Sequence, residues 1–115
     1  MRTDDIVTQI SELTRELKTL VEQLVEADEA LVYAESDERT KYAREFMSLT
    51  GSIELRKQQA ILDSQDEKLQ SELAAHKVRA IRARIKYVEQ AFEAARSISA
   101  ARRAEFAAEP TGQWT

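Results

Sequence analysis

This sequence predicts an all-α fold, a long antiparallel helical hairpin formed as a coiled coil. Three features carry that prediction: a heptad stripe through the first half, one interior glycine near the middle, and opposite charge on the two flanking halves. The 115 residues include two Gly and one Pro, too little turn chemistry for a β-sandwich, a barrel or a doubly wound sheet.

The first element follows from spacing. Ile6, Ile10, Leu13, Leu17, Leu20, Leu24, Ala27, Leu31 and Ala34 recur at alternating steps of four and three, and such a stripe buries a narrow seam against another helix. Thr3 suits an N-cap, and Asp4 and Asp5 suit the positive end of the helix dipole. The phase then slips. The next apolar residues are Tyr42, Phe46 and Leu49, eight positions beyond Ala34, a step that locally unwinds a left-handed supercoil. The prediction is one helix over about 4–49, with a kink or break near Ser36 as the alternative.

Thr50, Gly51 and Ser52 form the turn at 50–52. Gly51 suits a left-handed helix cap and Ser52 suits the N-cap of the next helix. A second helix is predicted over about 53–96. Its early seam reads Leu55, Leu62, Leu69 and Leu73, and then moves to Ala74, Val78, Ile81, Ile85, Val88, Phe92 and Ala95. The run from Arg96 to Ser99 weakens helical propensity, so a separate short helix is expected over about 98–108, ended by Pro110 and Gly112. Residues 110–115, with the lone Trp114, read as a loose tail.

Charge and size both favour an antiparallel pairing. Residues 1–38 carry 11 acidic and 3 basic side chains, whereas residues 76–103 carry 8 basic and 2 acidic. Folding at Gly51 lays one against the other. Twelve of the 17 alanines lie between Ala74 and Ala108, facing the larger residues of the first half. Ala80, Ala83, Tyr87 and Ala91 add apolar surface beside the main seam, which predicts a homo-oligomer, a dimeric four-helix bundle above all.

Composition excludes much chemistry. With no Cys and one His, there is no thiolate nucleophile, no disulfide and no multi-histidine metal site. Glu72 and His76 stand at i and i+4, not at the Glu-x-x-His spacing of carboxylate-bridged di-metal bundles. The acidic series Glu12, Glu16, Glu22, Glu26, Glu29 and Glu35 has no partner acid, base or nucleophile beside it and reads as a solvated helix face. No catalytic residue, metal or cofactor is therefore predicted, and the protein is expected not to be an enzyme.

The basic run offers the best candidate surface. Arg79, Arg82 and Lys86 share one helical face by their spacing, and Lys77 and Arg84 spread around the same helix. Cations on one face fit phosphate contact, while cations flanking a seam also fit an acidic partner helix. Arg96, Arg102, Arg103 and Phe106 form a second group, basic residues closed by an aromatic, which fits either a short docking helix or a segment folded back on the bundle.

Three stretches together resemble a known group. Met47-Ser-Leu-Thr-Gly-Ser52 followed by Arg56-Lys57, then Lys77-Val-Arg-Ala-Ile-Arg-Ala-Arg-Ile85, then Arg96-Ser-Ile-Ser-Ala-Ala-Arg-Arg-Ala-Glu-Phe106, with Gly112-Gln-Trp-Thr115 at the end, resemble small helical accessory proteins of tailed bacteriophages and prophages. The resemblance covers about residues 40–115. It departs from the group at Ile98 and Arg102, where other apolar residues are more usual. It implies an early-region protein encoded near recombination or replication genes, and it brings no catalytic residues with it.

The function expected is thus a non-enzymatic phage accessory acting by protein–protein contact, in phage DNA recombination or replication or on a host factor. Its expected partners are itself and a phage or host protein of DNA metabolism. A nucleic-acid-binding accessory using the basic half and a structural virion protein are the alternatives. No segment approaches the roughly 18 apolar residues of a membrane span, and Asp4 and Asp5 fall where a signal peptide has its apolar run. The predicted location is the cytoplasm of the bacterial host, away from membranes.

Overall fold

The computed structural model describes residues 3–108, which are helical except at 49–52 and Ser64. Helix α1 runs Thr3–Ser48, α2 Ile53–Asp63 and α3 Gln65–Ala108. The all-α prediction holds among these residues. The cap expected from the Thr3 side chain, the stop at Pro110 and Gly112 and the tail with Trp114 lie outside the described residues.

Two compact units are present, one drawn from segments 1–21 and 83–115 and the other from residues 22–82. The second unit contains the turn. Ser52 has extended backbone (φ −65°, ψ 156°), and its hydroxyl accepts the Leu55 N–H at 3.1 Å, the N-cap its residue type predicts. Gly51 takes φ +112°, a conformation costly for any residue with a Cβ. Because α1 ends at Ser48, this glycine lies inside the turn instead of directly capping the helix.

Within this unit α1 runs antiparallel to α2 and α3. Asp28 lies beside Arg82, Glu38 beside Ser71, and Phe46 beneath Arg56. Ala27, Ala60, Val78 and Ile81 are buried. The other unit repeats the arrangement. Glu16 meets Arg84, and Ile6, Leu20, Val88 and Ala95 form its core.

The break considered near Ser36 is absent, since α1 passes through it without interruption. Glu38 occupies the missing seam position, half-buried, and divides the step from Ala34 to Tyr42 into two steps of four. Four-residue steps relax supercoiling without breaking hydrogen bonds in the helix. The Ser71 hydroxyl donates to Glu38 Oε2 at 2.9 Å, so the carboxylate is partnered where a leucine would otherwise sit.

The interruption lies instead at Ser64, between α2 and α3. The Ser64 hydroxyl donates to Ala60 O at 2.8 Å while its N–H donates to the same carbonyl at 3.1 Å. Serine bonding back onto the preceding turn bends a helix, and Ser64 accordingly adopts φ −106°, ψ 15°. The predicted single helix from 53 is thus two.

A second correction concerns the separate helix expected at 98–108. Helix α3 continues to Ala108. Its inward series, Val88, Phe92, Ala95, Ser99 and Arg102, keeps alternating four and three through the serines. Continued pairing and the surrounding alanines outweigh the small propensity deficit.

The third correction is the early seam. Leu55, Leu62, Leu69 and Leu73 are more than half exposed. The residues turned toward α1 are Arg56, Ala60, Ser64, Glu67 and Ser71. Small residues let the helices approach, and Arg56 lays its guanidinium over the Phe46 ring, 4.8 Å from its centre. Phe46 in turn stacks on Tyr42 at 6.2 Å.

Candidate interaction surfaces

The basic residues singled out from the sequence fall into two groups. Arg79 and Arg82 belong to the unit of residues 22–82, whereas Lys86, Arg96, Arg102, Arg103 and Phe106 belong to the other. In the first group, Arg82 reaches Asp28 of α1 at 3.7 Å, and Arg79 is exposed with no ion pair among the described residues.

Arg84 makes the tighter cross-helix pair. Its Nη2 lies 2.6 Å from Glu16 Oε1 and its Nε donates to the same oxygen at 2.8 Å, while its guanidinium also covers the Tyr87 ring at 4.9 Å. Acidic α1 and basic α3 therefore do meet, as the charge distribution predicts. Both pairs are largely solvent-exposed, so each adds little stability and chiefly favours the antiparallel pairing. The contact with Asp28 also engages Arg82, one of the cations that a phosphate-binding face would need free.

In the second group, the structure brings four of the residues together. Arg96, Arg102, Arg103 and Phe106 line two adjoining open grooves of one unit, which share Ser99 and Arg103. α1 supplies Ile6 and Val7 to one groove and Ile10 to the other. Arg96 is held by Glu93 at 3.5 Å and lies over the Phe92 ring at 5.8 Å. Arg102 and Arg103 have no ion pair among the described residues. Phe106 is 80% exposed and Val7 60%, and the groove they line also holds Arg102, Arg103 and Glu105. Lys86 is exposed and stands apart from these grooves.

No family model, curated protein or solved structure matches this chain. Among the described residues no group of three or more His, Asp or Glu could hold a metal ion, and no helix is long and apolar enough to cross a membrane.

Sequence reasoning missed two parts of these surfaces. Ile6 is legible as the first residue of the seam and Val7 only as a helix position, because nothing local shows that they lie beside 99–108 of α3. The apolar repeat of Leu55, Leu62, Leu69 and Leu73 points to the interior, yet these leucines are exposed. The signal against an inward leucine seam is a second, smaller series in the same stretch of sequence, Ala60, Ser64 and Ser71, which fits a close helix approach better than leucine does.

Proposed function

We propose that this chain is a non-enzymatic accessory protein that works by protein–protein contact. Its docking surface is the end of α3 from Arg96 to Ala108 together with the first turns of α1. The observation that carries this reading is the exposed Phe106 and Val7 beside Arg102 and Arg103, neither of which has an ionic partner among the described residues. An apolar contact flanked by two arginines without ion pairs, against the single carboxylate of Glu105, fits an acidic segment that carries a large apolar side chain, and arginine and aromatic residues dominate binding energy at such contacts. Residue types support a role without catalysis, since the chain has no Cys and a single His. The setting, phage DNA recombination or replication or control of a host factor in the bacterial cytoplasm, is supported by the resemblance of residues 40–115 to phage accessory proteins.

The test is affinity capture of the tagged protein from phage-infected cells with nuclease present, comparing the wild type with a variant carrying Arg96→Ala, Arg102→Ala and Arg103→Ala. A protein kept by the wild type and lost by the equally helical variant is the expected result. Retention by the folded variant overturns the assignment of the surface.

A second reading, direct nucleic-acid contact, is favoured by Lys77 and Arg79, which have no ion pairs among the described residues. It requires affinity that falls with salt according to the number of phosphates contacted. Absence of binding to single or double strands at about 50 mM salt rejects it.

A further inference from the structure

The exposed leucines of the unit formed by residues 22–82 are not scattered. Three of them lie two positions beyond a residue that faces α1, Leu62 after Ala60, Leu69 after Glu67 and Leu73 after Ser71, and the exposed Ala80 follows Val78 in the same way. Two residues turn an α-helix by about 200°, so these side chains occupy the face opposite α1. With Asp66 and His76 between them, positions 62, 66, 69, 73, 76 and 80 repeat at alternating steps of four and three. Together α2 and α3 therefore carry two heptad seams, and only the smaller, more polar one is covered among the described residues. Leu62, Leu69 and Leu73 are 63%, 52% and 53% exposed. A run of leucines at that repeat is matched by another helix with the same repeat.

Charge selects the partner. Residues 63–72 hold four acidic side chains, Asp63, Asp66, Glu67 and Glu72, against Lys68 alone. Residues 73–82 hold Lys77, Arg79 and Arg82 and no acid. A helix face that is acidic at one end and basic at the other complements itself when two copies run antiparallel, and repels itself when they run parallel. Glu72 and Arg79 flank the stripe, both exposed and both without ion pairs among the described residues.

We propose that a second copy of this chain docks antiparallel on the leucine stripe at the back of α2 and α3. Leu69 faces Ala80 of the second copy, Leu73 faces His76, and Glu72 pairs with Arg79, each contact occurring twice about the twofold axis. Large residues meet smaller ones across this seam, and the symmetric interface closes the assembly at two copies. The joined surface is the outer face of α2 and α3 in each copy, so α1 contributes nothing to its centre. This dimer does not depend on the docking reading given above, and the Arg96, Arg102 and Arg103 triple variant is expected to remain dimeric.

Sedimentation velocity on the full chain, with helicity followed by circular dichroism, tests the proposal. The wild type is expected to be a dimer at about 50 μM, and Leu69→Glu with Leu73→Glu to weaken dimerisation by roughly 100-fold or more. Both leucines are solvent-exposed in the single chain, so the variant keeps its helical fold. Glu72→Lys alone and Arg79→Glu alone each place like charges together twice, weakening the dimer by roughly 3- to 10-fold. An equimolar mixture of these two variants restores wild-type affinity, because each then supplies the charge that the other lacks. A wild-type monomer at 50 μM, a dimer indifferent to the leucine changes, or a mixture no tighter than its separate components overturns the proposal.

Discussion

The Ser71 hydroxyl lies 2.9 Å from Glu38 Oε2 and 3.0 Å from Lys68 O, and it joins α3 to the one position where the α1 seam carries a carboxylate in place of an apolar side chain. Ser71 is buried and Glu38 half-buried. Removing one partner of such a pair is expected to differ from removing both, because a lone carboxylate at a helix contact loses its compensation. Ser71→Ala is expected to lower unfolding free energy by about 1 kcal/mol. Combining it with Glu38→Leu, which restores an apolar seam, is expected to recover that loss or exceed it. Urea denaturation followed by circular dichroism, run on both single variants and the double, reads the difference. Additive losses in the double variant would contradict this account.

Ala60 is wholly buried where α2 meets α1. Its methyl group leaves no room for a larger side chain, so Ala60→Leu is expected to cost about 1–3 kcal/mol through overpacking, despite the gain in hydrophobicity. A thermal melt compared with the wild type checks this. A stabilised variant would show that the helices can separate freely at this level.

At the turn, Gly51 has φ +112°, and a Cβ built there would stand 3.4 Å from Leu55 Cδ2. Contact at that distance is ordinary, so backbone strain decides the outcome. Gly51→Ala is expected to destabilise by about 1 kcal/mol or more, although alanine normally stabilises by restricting the unfolded chain. An increase in the denaturation midpoint would show that the turn readjusts its backbone.

Lys41 donates to Glu45 at 3.2 Å. That hydrogen bond first and then the Glu45 charge raise its pKa above the ordinary 10.5 against the opposing effect of desolvation, and Glu67 and Asp63 add smaller contributions. The folded state thus holds this proton more tightly than the unfolded chain does. The resulting stabilisation is complete below the unfolded pKa and is lost as pH rises through the folded value. Denaturation midpoints of the wild type should therefore fall more than those of Lys41→Met as pH passes upward through 10.5. Parallel curves for the two proteins would remove Lys41 as a source of pH dependence.

Much of the architecture is legible in the sequence alone. Ile6 to Ala34 marked the inner face of α1 because a long run of unbroken heptads has one solution. Ser52 marked the start of α2 because its hydroxyl can accept a first-turn N–H. The surplus of acid in residues 1–38 and of base in residues 76–103 called for antiparallel helices, and the contacts of Glu16 with Arg84 and Asp28 with Arg82 realise it.

What the tertiary structure alone decided is which of two competing seams faces inward on α2 and α3. Hydrophobicity favours Leu55, Leu62, Leu69 and Leu73, yet Ala60, Ser64 and Ser71 are buried. Local propensity could not place the bend at Ser64 either, nor carry α3 unbroken past Arg96, nor bring Ile6 and Val7 beside Arg102 and Phe106. Periodicity records that a face is apolar, but not which neighbour covers it. The close approach of two helices is set by the sizes of side chains on both at once, and that sum is formed only when the chain folds back at Gly51.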